Sequence, residues 1–298
     1  MFSKKNCDKE KHEHFTPLTI VMLIVLVLYV VSLFIPLLWA FMTSFKDQSD
    51  FRTNIIGLPK EWVWNYSFVF TKFTWSVPTA AGVKIVGMPM MFVYSFLYAL
   101  GCAFTNTLIP CITSYMCARF PYKFSKVIYT IVIVAMILPI VGALPSEIQM
   151  ARLFGLYDQI WGLWIMKANF LGMYFLVFYN CFKSLPMAFT EAAKIDGAGN
   201  LSVLVRIILP LVRNLFFTVM LINFISFWND YQTPLVFMPS YPTVALGMFY
   251  MAKTTENGLS TIPMRMASAM LMLIPILILF LCFHKRLLGN LTMGGVKG

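Results

Sequence analysis

Charged residues are scarce in this sequence. Asp, Glu, Lys and Arg make up only 12% of its 298 residues, whereas soluble domains carry about 25%. Apolar residues make up 59% of the chain, and its mean hydropathy is +0.77. This balance excludes an ordinary soluble domain and predicts an integral membrane protein. The net charge is +11. The sequence has no basic patch interleaved with aromatic residues, so nucleic acid is not indicated as a partner. We interpret the excess of basic residues as Lys and Arg beside membrane spans.

Motifs for nucleotide hydrolysis, disulfide chemistry and metal binding are also missing. No stretch has the phosphate-binding pattern G-x-x-x-x-G-K-[ST], and the six cysteines include no C-x-x-C pair. Most of them lie in or near apolar runs, so we interpret the cysteines as small hydrophobic residues. His12 and His14 flank Glu13 in a charged segment that we interpret as solvated. We therefore predict no catalytic residue, no metal site and no cofactor bound by this chain.

Long uncharged runs are abundant instead. The first, residues 18–42, is longer than the apolar core of a signal peptide, which has about 7–15 residues. A membrane-spanning helix needs about 20 apolar residues, and six runs approach or exceed that length. The sequence therefore predicts an all-α, polytopic membrane protein with six transmembrane helices. The predicted spans are 18–42, 93–118, 127–146, 160–183, 213–236 and 264–284.

The distribution of Lys and Arg orients these spans. With both termini inside, 14 of the 23 Lys and Arg residues fall on the inner side, where the net charge is +9 against +2 outside. Because inner loops carry an excess of Lys and Arg, we predict an N-in/C-in topology. The predicted domains are a cytoplasmic tail at 1–16, a transmembrane domain at 17–286 and a cytoplasmic tail at 287–298. Residues 46–92, with short helical pieces, and 237–262 are the longer predicted outer loops.

One inner loop, residues 184–212, is polar but regularly patterned. In its first half, small and apolar residues recur at helical spacing. Gly197 comes after them, at the position where the C-terminus of a helix favours a residue with positive φ. Its second half begins another helical pattern, whose undistorted course Pro210 limits. The stripe in the first half comprises Ala188, Ala192 and Ile195. A helix with so few bulky side chains suits either a partner that approaches closely or the headgroup surface of a membrane, and the pattern leaves both open.

The same loop contains a spaced motif: E-A-A, three residues, G, nine residues, I-x-L-P. It resembles the cytoplasmic loop of the permease subunits of binding-protein-dependent ABC importers. The matching residues are Glu191, Ala192, Ala193, Gly197, Ile207, Leu209 and Pro210. Asp196 and Ala198 beside Gly197, the segment 228–230 and the tail 294–298 are similar to the carbohydrate-transporting branch. The resemblance covers essentially the whole chain and is greatest to the smaller permease of maltose-type importers.

This resemblance implies a type I ABC importer permease in a bacterial plasma (inner) membrane, importing a sugar or oligosaccharide. It implies a second homologous permease, an ATP-binding cassette ATPase dimer that binds ATP and Mg, and an extracellular solute-binding protein on the outer loops, besides membrane lipid. The helix at 191–196 would dock in a groove of the ATPase, with Gly197 forming the turn that sets its angle. Gly294, Gly295 and Lys297 in the tail are further candidates for the ATPase interface.

Three residues of the fifth predicted span suit a sugar pathway. Asn223 and Asn229 offer amides and Trp228 a ring face, although packing and interface anchoring are favoured for Trp228. Two other functions stay open. An ion-coupled secondary carrier would transport without an ATPase, but such carriers usually need intramembrane charges, and these spans contain almost none. A non-transporting membrane sensor or scaffold would bind a partner without substrate-dependent ATP hydrolysis.

Overall fold

Helices make up most of the protein in the computed structural model. The residues it describes are 17–79, 82–120, 122–138, 142–253 and 261–291. The predicted tail at 1–16 and the tail residues Gly294, Gly295 and Lys297 lie outside these ranges.

The elements follow one another along the chain with short connections. In the first half they are α1 (Pro17–Thr43), α2 (Gln48–Thr53), α3 (Asn65–Lys72), β1 (Thr74–Thr79), β2 (Gly82–Gly87), α4 (Met88–Arg119), α5 (Lys123–Ile137) and α6 (Leu144–Leu153). In the second half they are α7 (Ile160–Met166), α8 (Met173–Ser184), α9 (Ala188–Ile195), α10 (Asn200–Val203), a π turn (Leu204–Ile208), α11 (Leu209–Trp228), α12 (Gln232–Phe237), α13 (Val244–Lys253) and α14 (Ile262–Leu291).

Four helical segments are long and apolar enough to cross a membrane: Pro17–Thr43, Met88–Arg119, Asn200–Trp228 and Ile262–Phe283. The predicted count of six continuous spanning helices is therefore not confirmed in the described residues. The third predicted span is represented by α5, whose 15 residues extend about 22 Å, less than the ~30 Å core of a bilayer. The fourth is divided into α7 and α8 by residues 167–172. Hydropathy averages over a window and does not register such breaks.

The fifth span also differs from its predicted course. It was predicted at 213–236, with Pro210 limiting the helix before it, but one helical run continues from Asn200 to Trp228. Pro210, which has no N–H, is the second residue after the π turn, and the Leu209 N–H donates to the Leu204 carbonyl across that turn. Prolines and π turns are the usual sites at which a helix adjusts without ending. The second half of the predicted loop is therefore the start of a spanning helix.

The segment 46–92, predicted to lie outside, contains the two short helices α2 and α3, as predicted, and a hairpin that was not predicted. Strands β1 and β2 pair antiparallel, with Thr74 opposite Gly87. Val77 and Val86 of the hairpin are buried against the core. Helix α4 follows at once and begins at Met88, five residues before its predicted start.

Helix α4 is central to the described bundle, where it packs against α7, α8 and α11. Its C-terminal half contributes to a cluster of buried residues with α8, α9 and the run through α11, which we call the loop-side cluster. It comprises Cys111, Tyr115, Phe178, Phe182, Ala193, Val203, Leu204, Ile208, Val212 and Val219. This cluster supports α9.

Candidate docking site on the loop 184–212

Helix α9 ends in a complete glycine-based cap. Gly197 has φ +80°, its N–H donates to the Lys194 carbonyl at 3.0 Å, and the Ala198 N–H donates to the Ala193 carbonyl at 2.9 Å. These two bonds are the Schellman pattern, in which a residue with positive φ follows the helix and satisfies its last carbonyls. The glycine therefore lies in the conformation expected from its place after the helical stripe. At its other end the helix begins at Ala188, two residues after Pro186.

One face of α9 is buried, and the other is exposed in the part of the chain that the structure describes. Thr190 and Ala193 are buried, and Ala193 belongs to the loop-side cluster. The predicted stripe lies on the opposite side: Ala188, Ala192 and Ile195 are all exposed. Ile195 is 86% exposed, an extreme value for an isoleucine. Large apolar side chains exposed together are typical of interaction surfaces.

Further exposed side chains extend this surface. Met187 and Phe189 lie at the N-terminal end of α9, and Leu201 lies just beyond the turn, each with much of its apolar surface exposed. Glu191 is in the first turn of α9 and Lys194 in the last, the arrangement that the helix dipole favours. We call this surface the α9 face: Met187, Ala188, Phe189, Glu191, Ala192, Ile195 and Leu201.

The motif residues divide into two groups in the structure. Glu191, Ala192, Ala193, Asp196, Gly197 and Ala198 come together on α9 and its terminal turn. Ile207, in the π turn, and Leu209 and Pro210, at the start of α11, are on the helix beneath them. Ile207 and Leu209 pack against the same loop-side cluster as Ala193 and Ala198. The motif therefore joins an exposed helix to the beginning of a spanning helix.

A residue that sequence reasoning missed also touches this loop. Arg119, at the end of α4, donates to the Leu185 carbonyl at 3.1 Å, just before α9. The sequence indicates this contact only weakly, because it shows no more than a cation in the last turn of a helix, within a short basic segment. No residue spacing linked it to a loop 66 residues away.

The three predicted pathway residues lie in the last turns of α11 and at its C-cap, but their side chains have different partners. Asn223 is buried and its Nδ2 donates to Thr107 Oγ1 of α4 at 3.0 Å. Trp228 is buried, and its Nε1 donates to the Met272 carbonyl of α14 at 3.1 Å. Asn229 is exposed and its Nδ2 donates to the Ile225 carbonyl of its own helix at 2.9 Å. Two of the three side chains thus join helices within this chain.

Metal-binding chemistry is not indicated by the described side chains. In the ranges that the structure covers, no group of three or more His, Cys, Asp and Glu residues could hold a metal ion. The chemistry that the loop supports is non-covalent: an exposed short helix, with its turn fixed by glycine, resting on helices that cross the membrane.

Comparison with known proteins gives one consistent family. The family described as "binding-protein-dependent transport system inner membrane component" matches residues 111–290. A diacetylchitobiose uptake system permease of Streptomyces coelicolor is 25% identical over 275 residues, which cover 90% of this chain and 86% of that protein. A melibiose/raffinose/stachyose import permease of Bacillus subtilis is 25% identical over 272 residues, covering 89% and 92% of the two chains.

Two further comparisons concern one more relative in sequence and one relative in fold. A maltodextrin transport system permease of Bacillus subtilis is 30% identical over 191 residues, covering 62% of this chain and 66% of that protein. A bacterial ABC transporter that imports the acidic polysaccharide alginate has a chain with a TM-score of 0.73. That likeness covers 90% of this chain and 95% of the other at 20% sequence identity, so the two share a fold.

Proposed function

Since the chain belongs to the family of binding-protein-dependent transport system inner membrane components, we propose that it is the permease subunit of an ATP-driven importer of a sugar or oligosaccharide. The family establishes the permease and its place in the inner membrane. The substrate class is supported by relatives whose names specify diacetylchitobiose, melibiose, raffinose, stachyose and maltodextrin. Because these sugars differ in size and linkage, the proposal names a carbohydrate class and no single sugar.

The observation that carries the coupling role is the α9 face. Ile195 is almost fully exposed, and Phe189 and Leu201 are exposed beside it, so the apolar surface of these side chains stays largely hydrated when this chain folds. Burial of apolar surface contributes about 25 cal/mol per Å², so a partner that covers these side chains gains affinity from them. We infer that the partner is an ATP-binding cassette ATPase dimer, which binds ATP and Mg and hydrolyses the nucleotide, whereas this chain catalyses no reaction.

The path of force follows from the connections of α9. Closure of the ATPase dimer would push on the α9 face, and the Gly197 turn joins α9 to the helical run from Asn200 to Trp228. A rigid helix transmits such a displacement along its length into the membrane. The expected result is alternation of the spanning helices between inward-facing and outward-facing arrangements.

Other partners complete this assembly. A second homologous permease would supply the remaining wall of the pathway, and a solute-binding protein would dock on the outer segments 46–92 and 237–262. The tail residues Gly294, Gly295 and Lys297 are proposed to reach toward the ATPase. Asn229, which is exposed, is the strongest remaining candidate for solute contact, whereas Asn223 and Trp228 bond to neighbouring helices.

The proposal is tested by affinity purification of the tagged chain from its native membrane in mild detergent, followed by mass spectrometry. We expect a second permease and an ATPase. In the variant Ile195→Glu, which places a charge on the α9 face, we expect the ATPase to be lost and the second permease retained. Ile56→Glu is the matched control, because Ile56 is similarly exposed, at 82%, but lies in the predicted outer segment.

Reconstitution in liposomes distinguishes the other functions. A chain that is recovered alone and transports without ATP is a self-sufficient carrier, which would refute the proposal. A complex that contains an ATPase but shows no substrate-dependent ATP hydrolysis would indicate a sensor or scaffold.

A further inference from the structure

A buried arginine joins the end of α4 to the segment that leads into α9. Arg119 is only 7% exposed. Its Nη2 donates to the Leu185 carbonyl at 3.1 Å, and its Nη1 lies against Sδ of Met187. Its Nε is buried without a hydrogen-bond partner among the described residues. The partners that the structure gives this cation are therefore neutral groups of the α8–α9 connection.

The burial of this side chain needs an explanation beyond helix capping. A cation in the last turn of a helix is favoured by the helix dipole, but an arginine that extends into solvent satisfies that preference equally well. Removing a guanidinium from water is unfavourable unless hydrogen bonds replace its hydration. For Arg119 these contacts come from Leu185 and Met187, the residues on either side of Pro186. Met187 is the N-cap of α9.

A second contact connects α4 to the other end of α9. Lys194 Nζ lies 5.9 Å from the centre of the Phe120 ring, and Phe120 is the C-cap residue that directly follows α4. Phe120 also packs against the loop-side cluster that contains Ala193. The end of α4 therefore contacts α9 near both of its termini. Since α4 packs against α7, α8 and α11, a displacement of α4 reaches most of the described bundle.

We propose that Arg119 is a positioning residue that transmits the displacement of α9 to α4 during transport. This inference rests on the proposed function, because it takes α9 as the helix on which the ATPase acts. The main chain connects α9 directly to α8 and α10, whereas α4 is distant in sequence and Arg119 links it directly to the start of α9. The planar guanidinium fork reaches Leu185 and Met187 together, which a lysine ammonium does not reproduce.

The test uses the complete complex in proteoliposomes, with the variants Arg119→Gln and Arg119→Lys. Three quantities are measured: the ATPase recovered with the chain, the rate of ATP hydrolysis, and the substrate moved for each ATP hydrolysed. Coupling between two binding sites of a protein typically changes affinity by about 5–150-fold, and with the lower end of that range as the scale we expect the substrate moved per ATP to fall about fivefold in Arg119→Gln. ATPase recovery should stay normal. Lys126→Gln is the control, since it removes a cation from an exposed side chain near the start of α5.

Two results would overturn the inference. An unchanged amount of substrate per ATP in Arg119→Gln would show that the link transmits nothing. Loss of the ATPase from both variants would make Arg119 a residue of assembly and not of transmission. If Arg119→Gln does not accumulate in the membrane, the substrate moved per ATP is measured in Arg119→Lys instead, and an unchanged value there overturns the inference. If no ATPase is recovered with the wild-type chain, the proposed function itself is refuted. If the wild-type complex couples ATP hydrolysis to transport and the Arg119 variants move as much substrate per ATP, only the role of Arg119 is refuted.

Discussion

Gly197 holds the turn after α9 in a conformation that other residues adopt with difficulty. Its φ is +80°, and a Cβ atom built on it would meet no described atom within 4 Å. Substitution at this position is therefore limited by the backbone conformation and not by space. The series Gly197→Asn, Gly197→Ala and Gly197→Val varies essentially one quantity, which is the free-energy cost of positive φ.

The expected costs rise along this series. Alanine in the left-handed region costs about 1–2 kcal/mol, and asparagine less because its short polar side chain can hydrogen-bond locally. Valine is branched at Cβ and strained there, at about 2–3 kcal/mol. A difference of one or two kcal/mol changes the ratio of the ordered to the disordered state by about 5–30-fold. In the disordered state of this turn, α9 loses the two cap hydrogen bonds that the N–H groups of Gly197 and Ala198 donate to it.

The assay is ATP-driven uptake in proteoliposomes, normalised to the amount of inserted chain. We expect uptake to fall in the order glycine, asparagine, alanine, valine, with membrane insertion unchanged. Gly199→Ser is the matched control, because Gly199 has φ −69° and ψ 157° at the start of α10, where serine is a favoured N-cap. The reasoning is refuted if the valine variant transports as well as the asparagine variant, or if Gly199→Ser loses as much uptake as Gly197→Val.

Three other substitutions test separate contacts. Glu191→Lys should reduce the recovered ATPase by about two- to fivefold, since a charge at the first turn of a helix contributes about 0.3–1 kcal/mol; equal recovery in a pull-down contradicts this. Asn223→Leu removes the bond to Thr107, and because such bonds between membrane helices average about 0.6 kcal/mol, the melting temperature in detergent should fall slightly. An altered half-saturating substrate concentration with unchanged melting would instead indicate solute contact. Tyr98→Phe removes the 2.9 Å bond to the Asp230 carboxylate, and hydrogen bonds to charged groups contribute about 1.5–3 kcal/mol. Its melting temperature should fall further than that of Asn223→Leu, and an unchanged value would count against a stabilising bond.

Features that depend on neighbouring residues were predictable from the sequence. The first and last apolar runs, predicted at 18–42 and 264–284, are continuous helices in α1 and α14, because hydropathy is a property of a contiguous segment. The turn at Gly197 was predictable for the same reason, since a helical stripe followed by glycine specifies its own end. The family motif added the expectation that this local structure docks on an ATPase.

Features that depend on packing were not predictable. The hairpin of β1 and β2 needs Val77 and Val86 to be buried against distant helices, and the continuation of the helix through Pro210 depends on the π turn before it.

By itself the sequence determined that this chain lies in a membrane, that most of it is helical and that one loop contains a short helix ended by glycine. Only the tertiary structure decided which face of α9 is free, where the predicted spans are interrupted and that Arg119 reaches the segment before α9. The physical reason is that periodicity and hydropathy describe residues within one or two turns of each other. Contacts such as that of Asn223 with Thr107, 116 residues apart, arise only when helices pack together.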